Sequence, residues 1–176
     1  MTQSPPEIMW QGRFITTLKS GRWEYVSRAR AIRAAVILAI DDADEERHTL
    51  LVEQYRVPMG KNCIELPAGL IGDDGVEEDD SIAAARELEE ETGYQARDWQ
   101  NIGEFYSSPG MVSESFSLFL ASGLTRVSAG GGVEGENITV HRVPFQGLTD
   151  FITQKRAEGC GIDVRIMALL LAGLIS

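Results

Sequence analysis

The chain holds two cysteines, two histidines and six prolines in 176 residues, and its 27 acidic side chains outnumber the 16 basic ones. Each scarcity excludes something. Cys63 and Cys160 form no framework of spaced thiols, and a chain of this length needs no bridge to hold a core, so a reduced compartment is expected. His48 and His141 fall in strand or hairpin contexts with no ligand or nucleophile spacing around them, and both read as structural or exposed. A formal net charge of −11 leaves no basic stripe for a phosphate backbone, which argues against nucleic acid as a partner. The opening "MTQSPPEIMWQGRF" has no basic stretch followed by an apolar run, so no secretory leader is read there. The longest apolar run, "IMALLLAGLI" at 166–175, is about half the length that crosses a bilayer and reads as a buried C-terminal helix. A cytoplasmic protein without a membrane partner is expected. An anionic substrate would need positive charge brought from outside the chain.

What is present is a globular composition, with 43% hydrophobic residues and 18 glycines, enough for one domain with a substantial core. "RAAVILAIDD" (33–42) and "HTLLVEQYR" (48–56) are β-branched and aliphatic runs separated by the charged "ADEER", and they read as paired strands. "NCIELPAGLI" (62–71) is a third apolar run, punctuated by Pro67 and Gly69, before the acidic loop "GDDGVEEDD". Further strands are expected in "WQNIGEFYSS", "ESFSLFLASGL" and "NITVHRVPF", with "SPGM" and "SAGGGVEGE" as loops between them. "LTDFITQKRA" and "DVRIMALLLAGL" read as two helices. The expected class is α/β (α+β), a mixed sheet between helices.

The stretch "SIAAARELEEETGY" (81–94) reads as a helix capped by Ser81, Asp79 or Asp80 and stopped by Gly93. Ala84 and Leu88 form its narrow apolar seam. Glu90 and Glu91 follow Glu87 by three and four residues, which places the three carboxylates on one helical face within about 5–6 Å; Glu89 points elsewhere. Without a counter-charge such a group resists joint ionisation. A hard divalent cation with an oxygen-ligand preference removes the conflict. Taken alone, a glutamate run is more often a solvated face, with Arg86 paired to Glu90.

This run does not stand alone. Gly72, Glu78, Arg86, Glu87, Leu88, Glu90, Glu91, Gly93 and Tyr94 stand at the spacing of the Nudix signature, a match far more specific than a lone glycine pattern. The chain resembles a Nudix hydrolase, and the resemblance implies a mixed β-sheet sandwiched between helices. Where the first signature glycine follows Pro-Ala, as it does in similar proteins, Gly69 of "LPAGLI" takes the place of Gly72, with a longer loop after it. Both remain candidates.

Three further stretches resemble the ADP-ribose pyrophosphatases and their sugar-nucleotide relatives: "VEQYRVPMGKNCIELPAGLI" (52–71), "SSPGM" with Pro109, and "GRWEYVSR" (21–28), which is similar to an N-terminal strand extension. The resemblance runs from about Trp23 to the C-terminal helix. It implies a strand extension over 1–32 for dimerisation and adenine contact, a hydrolase domain over 33–176, and a homodimer. Trp23 would stack on adenine, Glu24 accept from its amine, and Arg28 meet a ribose or phosphate oxygen; Trp10 is a looser candidate for a second stacking face. Arg56 would grip the diphosphate, with Glu65, Pro109, Gly110 and Met111 as further substrate contacts. Glu87, Glu90, Glu91 and the backbone carbonyl of Ala68 would hold two or three Mg²⁺, or Mn²⁺, ions, and Arg86 would orient the glutamates. Glu78 would fix the loop before the helix or supply an outer contact around the metals. Glu136 would serve as catalytic base, with Glu134 and Glu114 as alternatives, and Cys63 would be core. The implied reaction is hydrolysis of ADP-ribose to AMP and ribose 5-phosphate. GDP-mannose hydrolysis and a catalytically silent nucleotide-binding module remain the alternatives.

Overall fold

The computed structural model describes residues 5–28, 33–43, 45–71, 79–133 and 135–170. Gly72, Glu78 and Glu134 lie outside the described residues, as do 171–176 of the final apolar run. The centre of the fold is strand β4, Arg33–Asp41, where Ala35, Val36, Ile37, Leu38 and Ala39 are all fully buried. A strand covered on both faces reads as a continuous apolar run, which is why "AAVILAI" shows no alternation. Successive side chains nonetheless point to opposite faces. Val36, Leu38 and Ile40 join one core cluster with Leu51, Leu148, Ile166 and Leu169. Ala35, Ile37 and Ala39 join another with Ala83, Ala84 and Leu88 of the acidic helix.

Strand β4 pairs in parallel with β9, Ser115–Arg126, and β9 pairs antiparallel with β8, Tyr94–Tyr106. On the other side β5, His48–Arg56, meets β4 only at Ile40 and Asp41 before diverging to pair with β6, Lys61–Glu65, and β10, Thr139–Pro144. The two-residue β11, Gly161–Ile162, adds to β6 in parallel. Helix α1, Asp80–Thr92, covers one face and α2, Leu148–Ala157, the other. The expected sandwich of a mixed sheet between helices is therefore present.

The run 62–71 is two strands, not one. Pro67 has no N–H for a ladder, and at this point the chain leaves β6 and continues as β7, Ala68–Ile71, paired with β4 at Val36↔Ala68. The second terminal helix is 3₁₀, Val164–Leu170. Its buried Ile166 and Leu169 are three apart, the spacing that shares one face in a three-residue turn. The N-terminal segment forms a separate three-stranded sheet of β1, Glu7–Gln11, β2, Ile15–Ser20, and β3, Trp23–Arg28. Among the described residues no helix is long and apolar enough to cross a membrane.

Candidate active site

Asp79 caps α1, its carboxylate accepting from Ser81 N–H at 2.8 Å, and Gly93 ends the helix at φ 77 with its N–H on the Glu89 carbonyl. Between these caps the four-residue spacing turns Glu87 and Glu91 to the same side, over the break between β6 and β7. Glu91 is 5% exposed and accepts from Ala68 N–H at 3.0 Å. Glu87 lies directly on Gly69, where a Cβ would come 1.8 Å from its carboxyl carbon. Of the two candidate signature glycines, Gly69 thus has a visible steric reason to lack a side chain. Arg86 reaches Glu87 Oε1 at 2.9 Å and Glu90 Oε2 at 3.1 Å with one nitrogen. Glu90 stays beside the cleft, in a hollow shared with Ser128 and Gly130.

The electrostatics of this cluster are unfavourable without a cation. Burial pushes the Glu91 carboxyl up to about 8, and the carboxylates of Glu87 and Glu136 add to it against the Ala68 N–H and Arg56. Glu87 is also raised, by burial first and then by Glu90 and Glu136, with Arg86 opposing. Among the described residues no three acidic, imidazole or thiol side chains are gathered as a ready metal cluster, because Glu90 turns to Arg86 and Glu91 to a backbone amide. The donor set still fits a hard divalent cation: it is all oxygen, partly desolvated and short of positive charge.

Glu136 is carried by a loop hung from the end of the same helix. Gly131 N–H donates to the Glu91 carbonyl at 2.8 Å, Gly132 N–H to that of Glu90 at 2.9 Å, and Val127 and Ser128 N–H to that of Gly93. Helix-end carbonyls have no intrahelical donor, so the loop supplies one. Gly130 permits the approach, since a Cβ there would meet the Thr92 carbonyl carbon at 2.3 Å. The Glu136 carboxylate accepts from Val133 N–H at 2.9 Å and lines the same cleft as Glu87 and Glu91.

That cleft has a volume of about 610 Å³. Its cationic wall starts at Arg56, whose Nε and Nη2 grip Glu65 at 2.6 and 2.7 Å. Glu65 is 2% exposed and holds arginines with both oxygens, so its geometry is that of a support for Arg56. Arg165 and Asp163, which sequence reasoning missed, also line the cleft. They lie in a stretch read only as the polar start of an apolar helix, and nothing in "DVR" marks a site. Arg28 is present too, paired with Glu114, which ties up one alternative base.

Other expected contacts are not brought to this cleft within one chain. Trp23 borders a different hollow at the β2–β3 turn and is 56% exposed. It stands five residues from Arg28, about 16 Å along an extended strand. Glu24, Trp10, Pro109, Gly110 and Met111 are exposed and outside the cleft lining. His141 Nε2 donates to the Glu53 carboxylate at 3.0 Å and His48 Nδ1 donates to the Glu46 carbonyl, both structural roles. Cys63 touches the cleft, but burial pushes its thiol up to about 12, which leaves it unreactive.

The chain is similar to known proteins in both sequence and structure. The NUDIX domain profile matches residues 31–157. The methanol dehydrogenase activator of Bacillus methanolicus is 33% identical over 131 residues, 74% of this chain and 69% of that protein. GDP-mannose pyrophosphatase of Cronobacter sakazakii is 36% identical over 139 residues, covering 74% and 71%. ADP-ribose pyrophosphatase of Bacillus subtilis is 40% identical over 92 residues, covering 52% and 46%. Among solved structures, an ADP compounds hydrolase superposes with a TM-score of 0.65 at 26% identity, covering 86% of this chain and 82% of that one.

Proposed function

This chain belongs to the Nudix family and is a Nudix pyrophosphohydrolase, and from that premise we propose that it hydrolyses the diphosphate bond of ADP-ribose, or of a close nucleoside diphosphate sugar, with Mg²⁺ or Mn²⁺. The products are AMP and ribose 5-phosphate. The observation that carries this reading is the charge of the cleft, where Arg28, Arg56 and Arg165 face Glu65, Glu87, Glu91, Glu114, Glu136 and Asp163. Two like charges 4 Å apart repel by about 4 kcal/mol at an effective dielectric of 20. A diphosphate therefore enters only with divalent cations.

Glu87, Glu90, Glu91 and the Ala68 carbonyl would hold the cation. A bound Mg²⁺ supplies positive charge against the diphosphate and acidifies a water. The protein's own contributions are positional. Arg86 orients Glu87 and Glu90. Arg56 presents Nη1, which has no carboxylate partner among the described residues, to a phosphate oxygen. Glu136, released from Val133 N–H, takes the proton of the attacking water.

The extension 1–32 serves dimerisation and adenine contact, and 33–176 is the hydrolase domain. Exposed Ile8, Trp10, Phe14 and Trp23 on the N-terminal sheet support burial against a second copy. That copy would bring Trp23 and Glu24 to a cleft that their own chain does not let them reach.

GDP-mannose is the second reading, favoured by the Cronobacter sakazakii relative. The test is turnover of ADP-ribose against GDP-mannose with and without Mg²⁺, scored as AMP or GMP released. Glu91→Gln or Glu90→Gln is expected to cost orders of magnitude in kcat with modest loss of nucleotide affinity. Nucleotide binding without turnover of any such substrate would overturn the enzymatic reading in favour of a silent binding module.

A further inference from the structure

The acidic end of the cleft has an obvious task; the cationic end contains more machinery than one diphosphate-gripping arginine requires. Glu65 Oε2 accepts from two guanidiniums, Arg56 Nη2 at 2.7 Å and Arg165 Nη2 at 3.2 Å. Arg165 is fixed from behind by Asp163, which accepts from its Nε at 2.9 Å, its Nη2 at 2.7 Å and its backbone N–H at 2.6 Å. Asp163 is anchored in turn, its N–H donating to the Ile64 carbonyl at 3.0 Å, one residue before Glu65. The Arg165 guanidinium also lies 6.0 Å from the Phe116 ring centre. The result is a relay from the C-terminal segment through a buried carboxylate to the one guanidinium at the end of β5.

We propose that Arg165 is a positioning residue for the anion grip: through Glu65 it fixes the plane and reach of Arg56, and so sets affinity for the diphosphate of the substrate. The physical need is clear from exposure. The Arg56 side chain is 40% exposed and on its own would sample many rotamers. A carboxylate held on one edge by Arg165 offers it a single bidentate seat, and a seat fixed beforehand lowers the entropic cost of binding. Arg56 uses Nε and Nη2 in that seat, which leaves Nη1 directed away from Glu65. Charge alone does not explain the arrangement, because Asp163 already neutralises Arg165 locally. What Arg165 adds is geometry, supplied by a planar fork that lysine lacks.

The inference rests on the diphosphate reading above, and the experiment separates the two. Steady-state kinetics with ADP-ribose and Mg²⁺, and calorimetric binding of ADP, are measured for the wild type, Arg165→Met, Arg165→Lys, Arg56→Lys and the Arg56→Lys/Arg165→Met double variant. Arg165→Met is expected to raise KM and the ADP Kd about tenfold with kcat within about threefold, and to add less than about twofold in the Arg56→Lys background, as coupled residues do. Arg165→Lys, which keeps the charge and preserves the fold if Met does not, is expected to behave like Met. Full multiplication of the two effects, a wild-type KM in Arg165→Lys, or losses confined to kcat would each overturn the relay. If the wild type turns over neither ADP-ribose nor GDP-mannose, the functional reading fails, and the ADP affinities still decide whether Arg165 acts through Arg56.

Discussion

Gly69 separates folding from function at a single atom. The three atoms nearest its would-be Cβ all belong to the far end of the Glu87 side chain, so Gly69→Ala can be accommodated by swinging Glu87 aside. The expected outcome is a stability change of under about 1 kcal/mol, read by thermal melting, with kcat/KM falling more than about tenfold as the carboxylate proposed to hold the metal is displaced. Glu53 shows the opposite case, a carboxylate that serves the fold. Burial would raise its pKa, but hydrogen bonds from Asn62, Lys155 and His141 outweigh burial and hold it at about 2, against an ordinary 4.5. A carboxyl depressed in the folded state binds fewer protons there than in the unfolded chain, so its stabilisation is present above about 4.5 and is lost as pH falls towards 2. Glu53→Gln is therefore expected to lower the melting midpoint at pH 6, with the gap to the wild type closing between pH 4.5 and pH 2. A gap that stays constant through that window would show that Glu53 contributes shape and not charge. In the sequence Glu53 is one more polar residue in a strand. Its partners come from β6, β10 and α2, and no local pattern announces a cluster assembled from four elements.

At the scale of elements, the link between α1 and the Glu136 loop carries the most consequence. The backbone carbonyls of Glu90 and Glu91 accept the N–H groups of Gly132 and Gly131, so Glu136, the proposed base, and the carboxylates proposed to hold the metal share one support. Gly130 sits at φ 67 with Thr92 backbone where its Cβ would be, and unlike Gly69 it has no mobile neighbour to displace. Gly130→Ala is expected to cost about 1–3 kcal/mol of stability and to reduce kcat more than KM, measured by melting and by steady-state kinetics on the same preparation. The helix itself was legible beforehand because its caps, its apolar seam and its carboxylate spacing are all local in the chain. So were β4, β5, β9 and β10, whose apolar runs reflect burial directly. What escaped was non-local or depended on a single atom type. The split of 62–71 into β6 and β7 follows from Pro67, but only the finished sheet shows that the second half crosses to β4. Strand β1 is exposed at all five positions, so "EIMWQ" carries no alternation to read. Arg165 and Asp163 reach the cleft only because β11 folds back beside β6.

For the whole molecule the open question is what covers the N-terminal sheet. Its link to the body among the described residues is slight: Val26 exchanges backbone hydrogen bonds with Met111 and Ser113, and Arg28 pairs with Glu114. Ile8, Trp10, Phe14 and Trp23 are each more than half exposed, an apolar display that single-chain globular proteins seldom leave open. If a second copy covers it with two-fold symmetry, each cleft is completed by the other chain's Trp23. A complementation experiment decides this. Trp23→Ala removes stacking from the partner's site and Glu87→Gln inactivates its own, so a mixed dimer retains one site with both Glu87 and Trp23 intact. Random re-association gives half mixed dimers, and activity at low ADP-ribose is expected to recover to about one quarter of the wild-type value on mixing two nearly inactive preparations. If Trp23 acted within its own chain, or not at all, mixing would return only the average of the two variants, and the sheet would need another explanation for its exposed aromatics.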